Sequence, residues 1–286
     1  PLRPEGRRGI GANPMIEGAD GLPARIEPIH AETWPAIETW DYDGWQLRFA
    51  RGYTRRANSV TTTARGARPL ETKIAACVAT YEARHIAPVF RLPSTAEIAE
   101  IDGALARHGY AKADKTSIRV ASLAEPLPPR GDDVNVARGL TDEWLNHQMT
   151  WNGLDPDRRA AFGAIAGGIR RPVAFALLWS GAVAVAAGLA VRQGELLCLH
   201  SIITAPTQRG RGFGRALTRG LMRWGQTHGA TLAWLQVVKS NAPALHLYNA
   251  LGFGREIYRY HYRARPGDAV SPAPGGTSAA SRAARS

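Results

Sequence analysis

The sequence predicts an α/β protein in which helices flank a mixed β-sheet. Segments with alternating apolar residues, typical of strands, interchange along the chain with segments whose apolar residues recur at helical spacing. One apolar strand-like run, Leu196–Thr204, leads directly into a glycine-rich loop and a helical pattern. Another strand, Leu232–Val238, follows that helix, and a helical crossover makes the two strands parallel.

Length and composition predict two domains with flexible ends. A chain of 286 residues has room for two domains of average size, and 44% hydrophobic residues suffice for their cores. The predicted parts are a flexible N-terminal extension (1–25), a first domain (26–130), a second domain (131–264) and a disordered tail (265–286). A proline-rich linker, 125–131, separates the domains. Met15 is a candidate for the natural start of the protein, in which case the residues before it are an added extension.

The first domain shows strand and helix patterns in alternation. The predicted strands are 25–28, 45–50, 88–92 and 117–121, and the predicted helices are 31–39, 71–85 and 95–108, the last capped by Ser94 or Thr95. Between them, Arg55 and Arg56 either bind an anion or pair with Asp41 and Asp43; the structural pairing is the favoured interpretation.

The second domain shows a longer series of elements. The predicted strands are 134–137, 173–179, 182–192, 196–204, 232–238 and 257–262, and the predicted helices are 141–151, 155–169, 212–228 and a short one after Asn241. Thr141 and Asp155 suit the N-cap positions of the first two helices. The uncharged stretch 172–191 is long enough to cross a membrane, but Ser180-Gly181 interrupts it, so we predict two buried strands.

Charge, cysteine and histidine patterns exclude several classes of function. The net charge of +12 invites a nucleic-acid partner, yet charges nearly balance in residues 26–130 and the tails supply part of the excess. Cys77 and Cys198 lie far apart and form no CxxC motif, which favours a reducing compartment. The eight histidines show no metal-ligand spacing. We therefore predict no nucleic acid, no membrane and no metal.

The glycine-rich loop predicts a phosphate ligand. Glycines at 210, 212 and 214 leave the backbone open at a helix N-terminus, where unpaired N–H groups and the helix dipole favour an anion. A Walker P-loop requires Lys-Ser/Thr where Arg215-Ala216 stands. The dinucleotide fingerprint GxGxxG also fails, because its third glycine position holds Arg215 or Leu217.

Two motifs in order identify a family. The loop matches Arg-x-x-Gly-x-Gly at Arg209, Gly212 and Gly214. Downstream, residues 241–253 match Asn-x-x-Ala-x-x-x-Tyr-x-x-x-Gly-Phe, from Asn241 to Phe253. The chain thus resembles the GNAT superfamily of acyl-CoA N-acyltransferases. The order of strands and helices in residues 26–130 is similar to the second half of a GNAT fold, so we expect two tandem GNAT-like domains, as in bacterial two-part GNAT proteins. The first resembles a degenerate domain without its own cofactor site, because no glycine-arginine loop occurs in it.

The resemblance implies direct transfer of acetyl from acetyl-CoA to a primary amine. The residues that it implies for cofactor binding are Ile202, Ile203, Thr204, Arg209, Gly210, Arg211, Gly212, Phe213, Gly214, Arg215 and Asn241. Tyr248 matches the general acid that protonates the leaving thiolate.

The general base is where the sequence departs from the family pattern. Many members carry a glutamate six residues before the position of Thr204, and Cys198 stands there instead. His200 lies on the same strand face and titrates near neutral pH, so it is either the base or a core histidine. Glu195 lies on the opposite face, and only a local bulge would turn it to the face of Cys198 and His200.

The acceptor is predicted only by class: a small-molecule or protein amine. Trp144, His147, Trp151 and Asn152 are candidates to line its side of the site. We expect a cytoplasmic monomer or homodimer. The alternative function is a non-catalytic acyl-CoA-binding or sensor protein, because the usual glutamate is missing.

Overall fold

A computed structural model describes residues 21–94, 98–127 and 134–268. The helices are α1 (Leu22–Thr33), α2 (Leu70–Glu82), α3 (Ile98–Arg107), α4 (Asp142–Asn152), α5 (Pro156–Gly167), α6 (Phe213–Thr227) and α7 (Ala242–Asn249). The strands are β1 (Glu38–Tyr42), β2 (Trp45–Phe49), β3 (Val60–Thr62), β4 (Phe90–Pro93), β5 (Ala111–Ser122), β6 (Val134–Ala137), β7 (Val173–Ser180), β8 (Val183–Gln193), β9 (Leu196–Thr204), β10 (Leu232–Val238) and β11 (Arg255–Ala264). The predicted α/β class with a mixed sheet and flanking helices is confirmed.

The described residues form two compact units. The first contains the chain up to Thr116 and, again, from Tyr258 onward; the second contains Ser117–Ile257. The chain passes between the units within β5 and again within β11. The first boundary between the two units, after Thr116, therefore comes before the predicted linker, 125–131, in the sequence. Residues 128–131 of that linker lie outside the described residues.

In the first unit the strand order is β1-β2-β3-β4-β11, with β3 and β4 parallel and the other neighbours antiparallel. Apolar side chains of α2 and α3 pack with those of the strands into one core that contains Trp45, Phe49, Tyr81 and Phe90. The predicted strand 88–92 and helices 71–85 and 95–108 are present within a few residues, although the predicted cap Thr95 lies outside the described residues.

The beginning of the first unit differs from the prediction. Residues 25–28 belong to helix α1 rather than to a strand, and α1 begins inside the segment predicted as a flexible extension. The predicted helix 31–39 is also wrong, because α1 ends at Thr33 and β1 follows. Trp34 precedes Pro35, and a residue before proline disfavours the helical conformation. Residues 1–20 lie outside the described residues.

Arg55 is a structural residue, as favoured from the sequence, but its acidic partner is different. Its guanidinium pairs with Asp114 rather than with Asp41 or Asp43. Asp43 instead accepts the backbone N–H groups of Ala67 and Arg68, at 2.9 Å each. Asp43 thus holds the loop at Ala67 and Arg68. The separation of these residues along the chain does not predict this contact.

In the second unit the strand order is β5-β10-β9-β8-β7-β6. Strands β6 to β9 form an antiparallel meander, and β10 is parallel to β9 across α6, as predicted. The predicted caps are also confirmed: Thr141 Oγ1 accepts the N–H of Trp144 at 3.2 Å, and Asp155 Oδ1 accepts that of Arg158 at 2.9 Å.

The uncharged stretch 172–191 forms β7 and β8, which pair with each other, as predicted. Across the part of the chain that the structure describes, none of the helices combines the length and apolar character needed to cross a membrane.

Candidate active site

The glycine-rich loop joins the end of β9 to the start of α6. After Ala205, a 3₁₀ turn (Pro206–Gln208) leads to Arg209. Gly210 and Gly212 then adopt left-handed backbone angles, with φ of 80° and 86°. A side chain is unfavourable at such angles, so both positions need glycine for the shape of the loop.

The loop leaves the N-terminus of α6 open to a ligand. Gly212 is the N-cap residue and provides no side-chain hydrogen bond to the first turn. The first N–H groups of a helix have no intrahelical acceptor, and they attract anions together with the helix dipole. Arg209, Arg211 and Arg215 are exposed around this terminus, with the Arg211 guanidinium 5.1 Å from the ring centre of Phe213. The arrangement suits a phosphate or pyrophosphate group.

Strands β9 and β10 separate next to this loop. Their paired register runs from Leu196 with Leu232 to Leu199 with Leu235, whereas β9 continues to Thr204. Within the described residues, positions 200–204 of β9 are therefore not paired with β10, and we refer to this unpaired stretch as the opening. The backbone of Ile202, Ile203 and Thr204, predicted to contact the cofactor, lies along this opening.

A β-bulge lies in β9 at the start of the opening. The register with β8 shifts between the pairs Leu189–His200 and Ala187–Ile203, and Ser201 has a positive φ of 52°. Helix α4 fixes the bulge, because Gln148 Nε2 donates to the carbonyl of Ser201 at 2.7 Å. Bulges redirect backbone groups and side chains and are common beside active sites.

His200 is the residue immediately before the bulge. Its Nε2 lies 3.1 Å from Sγ of Cys198, and its ring packs edge-on against Trp234 at 6.4 Å. Only 3% of His200 is exposed, and Cys198 and Trp234 are fully buried. Cys198 and His200 thus lie on the same face of β9, as predicted from the alternation of side chains along a strand.

Glu195 is far from this point. It lies in the turn before β9 and is exposed, and its carbonyl accepts the N–H groups of Thr231 and Leu232. The bulge follows His200, so it does not change the relation between Glu195 and the strand face of Cys198 and His200. Six residues of strand separate Glu195 from Ser201, or roughly 20 Å at 3.3 Å per residue.

Helix α7 carries the predicted general acid. Asn241 caps the helix, because its Oδ1 accepts the N–H of Ala244 at 3.2 Å. Tyr248 lies in the last turn, half-buried, with its ring edge-on to Phe253 at 6.0 Å. The Tyr248 carbonyl accepts the Phe253 N–H at 2.9 Å, which folds the chain back after Gly252. Both sides of the tyrosine backbone are therefore fixed.

Arg119 holds the end of α7 in place. One guanidinium nitrogen donates to Asn249 Oδ1 at 2.7 Å and to the carbonyl of Phe253 at 3.1 Å. The Arg119 Nε donates to Ser117, which in turn donates to Glu256. This strand residue was not predicted from the sequence, because β5 is more than a hundred positions from α7.

Gly214 brings three predicted elements together. A Cβ atom at Gly214 would lie 3.2 Å from Thr204 Oγ1 and 3.5 Å from Leu247 Cδ2. The first turn of α6 thus lies against the end of β9 and against α7. The loop, the end of β9 and the tyrosine helix are consequently neighbours.

The predicted acceptor-side residues have different environments. Trp144 is buried and donates through Nε1 to the carbonyl of Gly188 at 3.0 Å, so it packs the core and does not line a surface. His147 and Trp151 stack at 4.7 Å and are half-buried, as is Asn152, which donates to Gln148.

Gln148 was missed from the sequence although a signal existed. It follows Trp144 by four positions, so a polar residue occupies the buried stripe of α4. In the described part of the chain, no group of three or more His, Cys, Asp or Glu side chains is arranged to hold a metal ion.

Comparison with known proteins places most of the chain in one family. Residues 24–264 match the family model described as "Probable histone acetyltransferase Rv0428c C-terminal". An uncharacterized N-acetyltransferase, YobR, of Bacillus subtilis is 28% identical over 84% of this chain and 97% of its own length. Streptothricin acetyltransferase of Streptomyces lavendulae is 42% identical, over only 21% of this chain and 31% of its own length.

Solved structures agree on the fold. A GCN5-related N-acetyltransferase from Kribbella flavida matches 88% of this chain and 97% of its own, with a TM-score of 0.62 and 15% identity. A tandem GNAT protein from the clavulanic acid biosynthesis pathway matches 69% of this chain and 70% of its own, with a TM-score of 0.52 and 14% identity. The chain therefore belongs to the GNAT superfamily of acyltransferases, within the family of the Rv0428c C-terminal acetyltransferase region.

Proposed function

We propose that this protein transfers an acetyl group from acetyl-CoA to a primary amine by direct attack. The observation that carries the proposal is the uncapped N-terminus of α6, behind two left-handed glycines, beside the opening between β9 and β10. A pyrophosphate at the helix and an extended pantetheine along β9 fit this arrangement, since the strand offers backbone donors and acceptors.

The reaction needs one proton acceptor and one proton donor. The amine nitrogen attacks the thioester carbonyl carbon, the carbon–sulfur bond breaks, and CoA leaves as the thiolate. We assign the ammonium proton to His200, directly or through water, and the proton that neutralises the thiolate to Tyr248. The chain positions of the two residues support these roles: His200 directly precedes the bulge in β9, and Tyr248 lies on the helix whose Leu247 is near Gly214.

The acceptor class rests on the relatives. One is named for streptothricin, a small molecule, and others for the alanine of ribosomal protein bS18, while the family model names histones. A small-molecule or protein amine is therefore the proposed acceptor, without nucleic acid or a membrane as partner, for a monomer or homodimer. The two cysteines are buried and form no disulfide, which favours the cytoplasm as the compartment.

The domain assignment also remains a proposal. We assign catalysis to residues 131–264, which contain the loop, β9 and α7. Residues 26–130 are the degenerate GNAT-like domain. The strand order of the first unit, with one parallel pair between β3 and β4, supports that interpretation.

A second candidate function is acyl-CoA binding without catalysis. It is favoured by two observations: a thiol occupies the position of the usual glutamate, and His200 is only 3% exposed. Such a protein would bind acetyl-CoA but would leave its thioester intact in the presence of amines.

Acetyl-CoA is expected to raise the thermal midpoint of unfolding, whereas NAD and ATP are not. A ligand at about a hundred times its Kd adds roughly 2.7 kcal/mol to the free energy of unfolding, which raises the thermal midpoint by about 5 °C for a chain of this size. A thiol-release assay with a panel of amines then separates the two candidate functions. Binding without thiol release for any amine favours the sensor, and no shift from acetyl-CoA rejects both.

Replacing His200 by Gln is expected to lower kcat by about 100- to 1,000-fold, the lower part of the range for a positioned base. The KM for acetyl-CoA should change little, because His200 is placed on the amine's side of the reaction. The acetyl-CoA-induced shift in thermal midpoint is the control for folding. An unchanged kcat in a folded variant would make His200 a core residue only.

A further inference from the structure

We propose that the first unit carries a binding site for a small molecule that joins one oxyanionic group, a carboxylate or a phosphate, to a compact apolar body. The site is a cavity of about 520 Å³ formed where β1 begins, β2 ends and α2 ends. Its wall contains cationic side chains beside apolar ones. The acetyl-transfer proposal assigns no role to these residues.

Arg51 reaches the cavity from a turn that favours glycine or asparagine. The N–H of Tyr53 donates to the carbonyl of Ala50 at 2.9 Å, and Arg51 and Gly52 have φ of 51° and 74°. These angles define a type I′ turn, whose two central positions strongly prefer Asn and Gly. Buried Asn58 holds the turn, since its Oδ1 accepts the N–H groups of Ala50 and Gly52.

His85 reaches the same cavity from a position that also favours glycine. At the end of α2, the Ile86 N–H donates to the Tyr81 carbonyl and the His85 N–H to that of Glu82, at 3.0 and 2.9 Å. This pattern is the Schellman motif, in which the left-handed residue is usually glycine. His85 occupies that place with a φ of 55°.

Two unrelated backbone motifs thus place a nitrogen-bearing side chain where local stability favours glycine, and both side chains line one cavity. Asp43, Asp114 and Ser201 also have positive φ; aspartate and histidine tolerate that conformation better than arginine does, so Arg51 is the stronger exception. Strained backbone that local stability does not explain is typical of ligand sites. A ligand that binds to the guanidinium of Arg51 and the imidazole of His85 explains why neither position holds glycine.

The charge balance of the cavity favours an anion. Glu38 forms a two-pronged ion pair with Arg84, at 2.7 and 3.3 Å, and the hydrogen bond from Arg84 lowers the pKa of Glu38. Glu38 is therefore ionised, and the positive charge of Arg84 already compensates its negative charge. Arg51 has no acidic partner within the residues that the structure describes, and it adds an unmatched positive charge to the wall.

The apolar part of the wall provides the surface that would contact the apolar body of the ligand. Ile37 is 46% exposed, and it lines the cavity with Phe49 and Ile86. The Arg84 guanidinium lies 4.0 Å from the ring centre of Phe49, which fixes this surface. An aromatic ring or a branched aliphatic group would cover Ile37 while its oxyanion contacts Arg51 and His85.

The test compares benzoate, phenyl phosphate and neutral benzyl alcohol as probes for the full chain, in NMR titrations followed through backbone amides. We expect at least one anion to shift the amides around residues 51 and 85, and benzyl alcohol to bind at least tenfold more weakly. The stronger anion distinguishes a carboxylate ligand from a phosphate ligand.

Arg51→Gly and His85→Gly are the decisive variants, because glycine suits both backbone positions. Each should weaken anion binding at least fivefold while keeping or raising the thermal midpoint of unfolding. Arg107→Gln, which removes one charge from the exposed face of α3, is the control and should bind like the parent.

Three results would overturn the proposal: no binding of either anion, binding that both glycine variants retain, or a lowered thermal midpoint in those variants. Acetyl-CoA is absent from the titrations, so their outcome does not depend on whether the protein transfers acetyl groups.

Discussion

Replacing Tyr248 by Phe is expected to lower kcat by about 10²–10³-fold while leaving acetyl-CoA affinity nearly unchanged. The exchange removes one hydroxyl and keeps the ring, which packs against Phe253. The backbone around the tyrosine is held independently, by the cap at Asn241 and by the contacts of Arg119. The loss should therefore fall on the proton that neutralises the leaving thiolate.

The measurement is steady-state thiol release with saturating amine, together with calorimetric titration of acetyl-CoA. Tyr110→Phe, a hydroxyl deletion in the first unit, is the matched control and should leave kcat unchanged. Full activity in the Tyr248 variant would remove that residue from the mechanism. A parallel loss of acetyl-CoA affinity would instead show that the tyrosine shapes the cofactor site.

Replacing Gly212 by Val is expected to weaken acetyl-CoA binding by about 10- to 100-fold, since a β-branched residue held at positive φ costs about 1–3 kcal/mol. Gly212 has a φ of 86° and caps α6 where the pyrophosphate is proposed to bind. No heavy atom lies within 4 Å of an added Cβ, so the effect comes from the backbone and not from a clash.

Gly229 provides a matched control within the same region of the chain. It follows the other end of α6, with a φ of 88° and equally open surroundings. Gly229→Val should lower the thermal midpoint about as much as Gly212→Val but leave acetyl-CoA affinity unchanged in calorimetry. Equal affinity losses in both variants would mean that general destabilisation, and not the loop, accounts for the effect.

Local chemistry explains which elements were predictable. Thr141, Asp155 and Asn241 act as caps because each side chain satisfies an N–H group three positions away. The parallel pairing of β10 with β9 follows from the helical crossover between them. Such relations involve neighbours or one short connection, so the sequence contains them.

The errors and omissions have equally physical causes. The predicted helix at 31–39 gave too little weight to Trp34-Pro35, and the predicted strand at 25–28 ignored the buried helical spacing of Leu22, Ile26 and His30. The partner of Arg55 lies 59 positions away at Asp114, and pairs so distant depend on how the strands are arranged.

By itself, the sequence determined the strand–loop–helix unit around Gly212, the family and the candidate residues His200 and Tyr248, because motif spacing and local hydrogen bonding are properties of adjacent residues. Tertiary structure alone decided where β9 bulges, which side chain fixes that bulge and how Arg119 anchors the tyrosine helix. It also decided that Arg51 and His85 share a cavity. Contacts between distant segments arise from packing and register, and no local pattern encodes them.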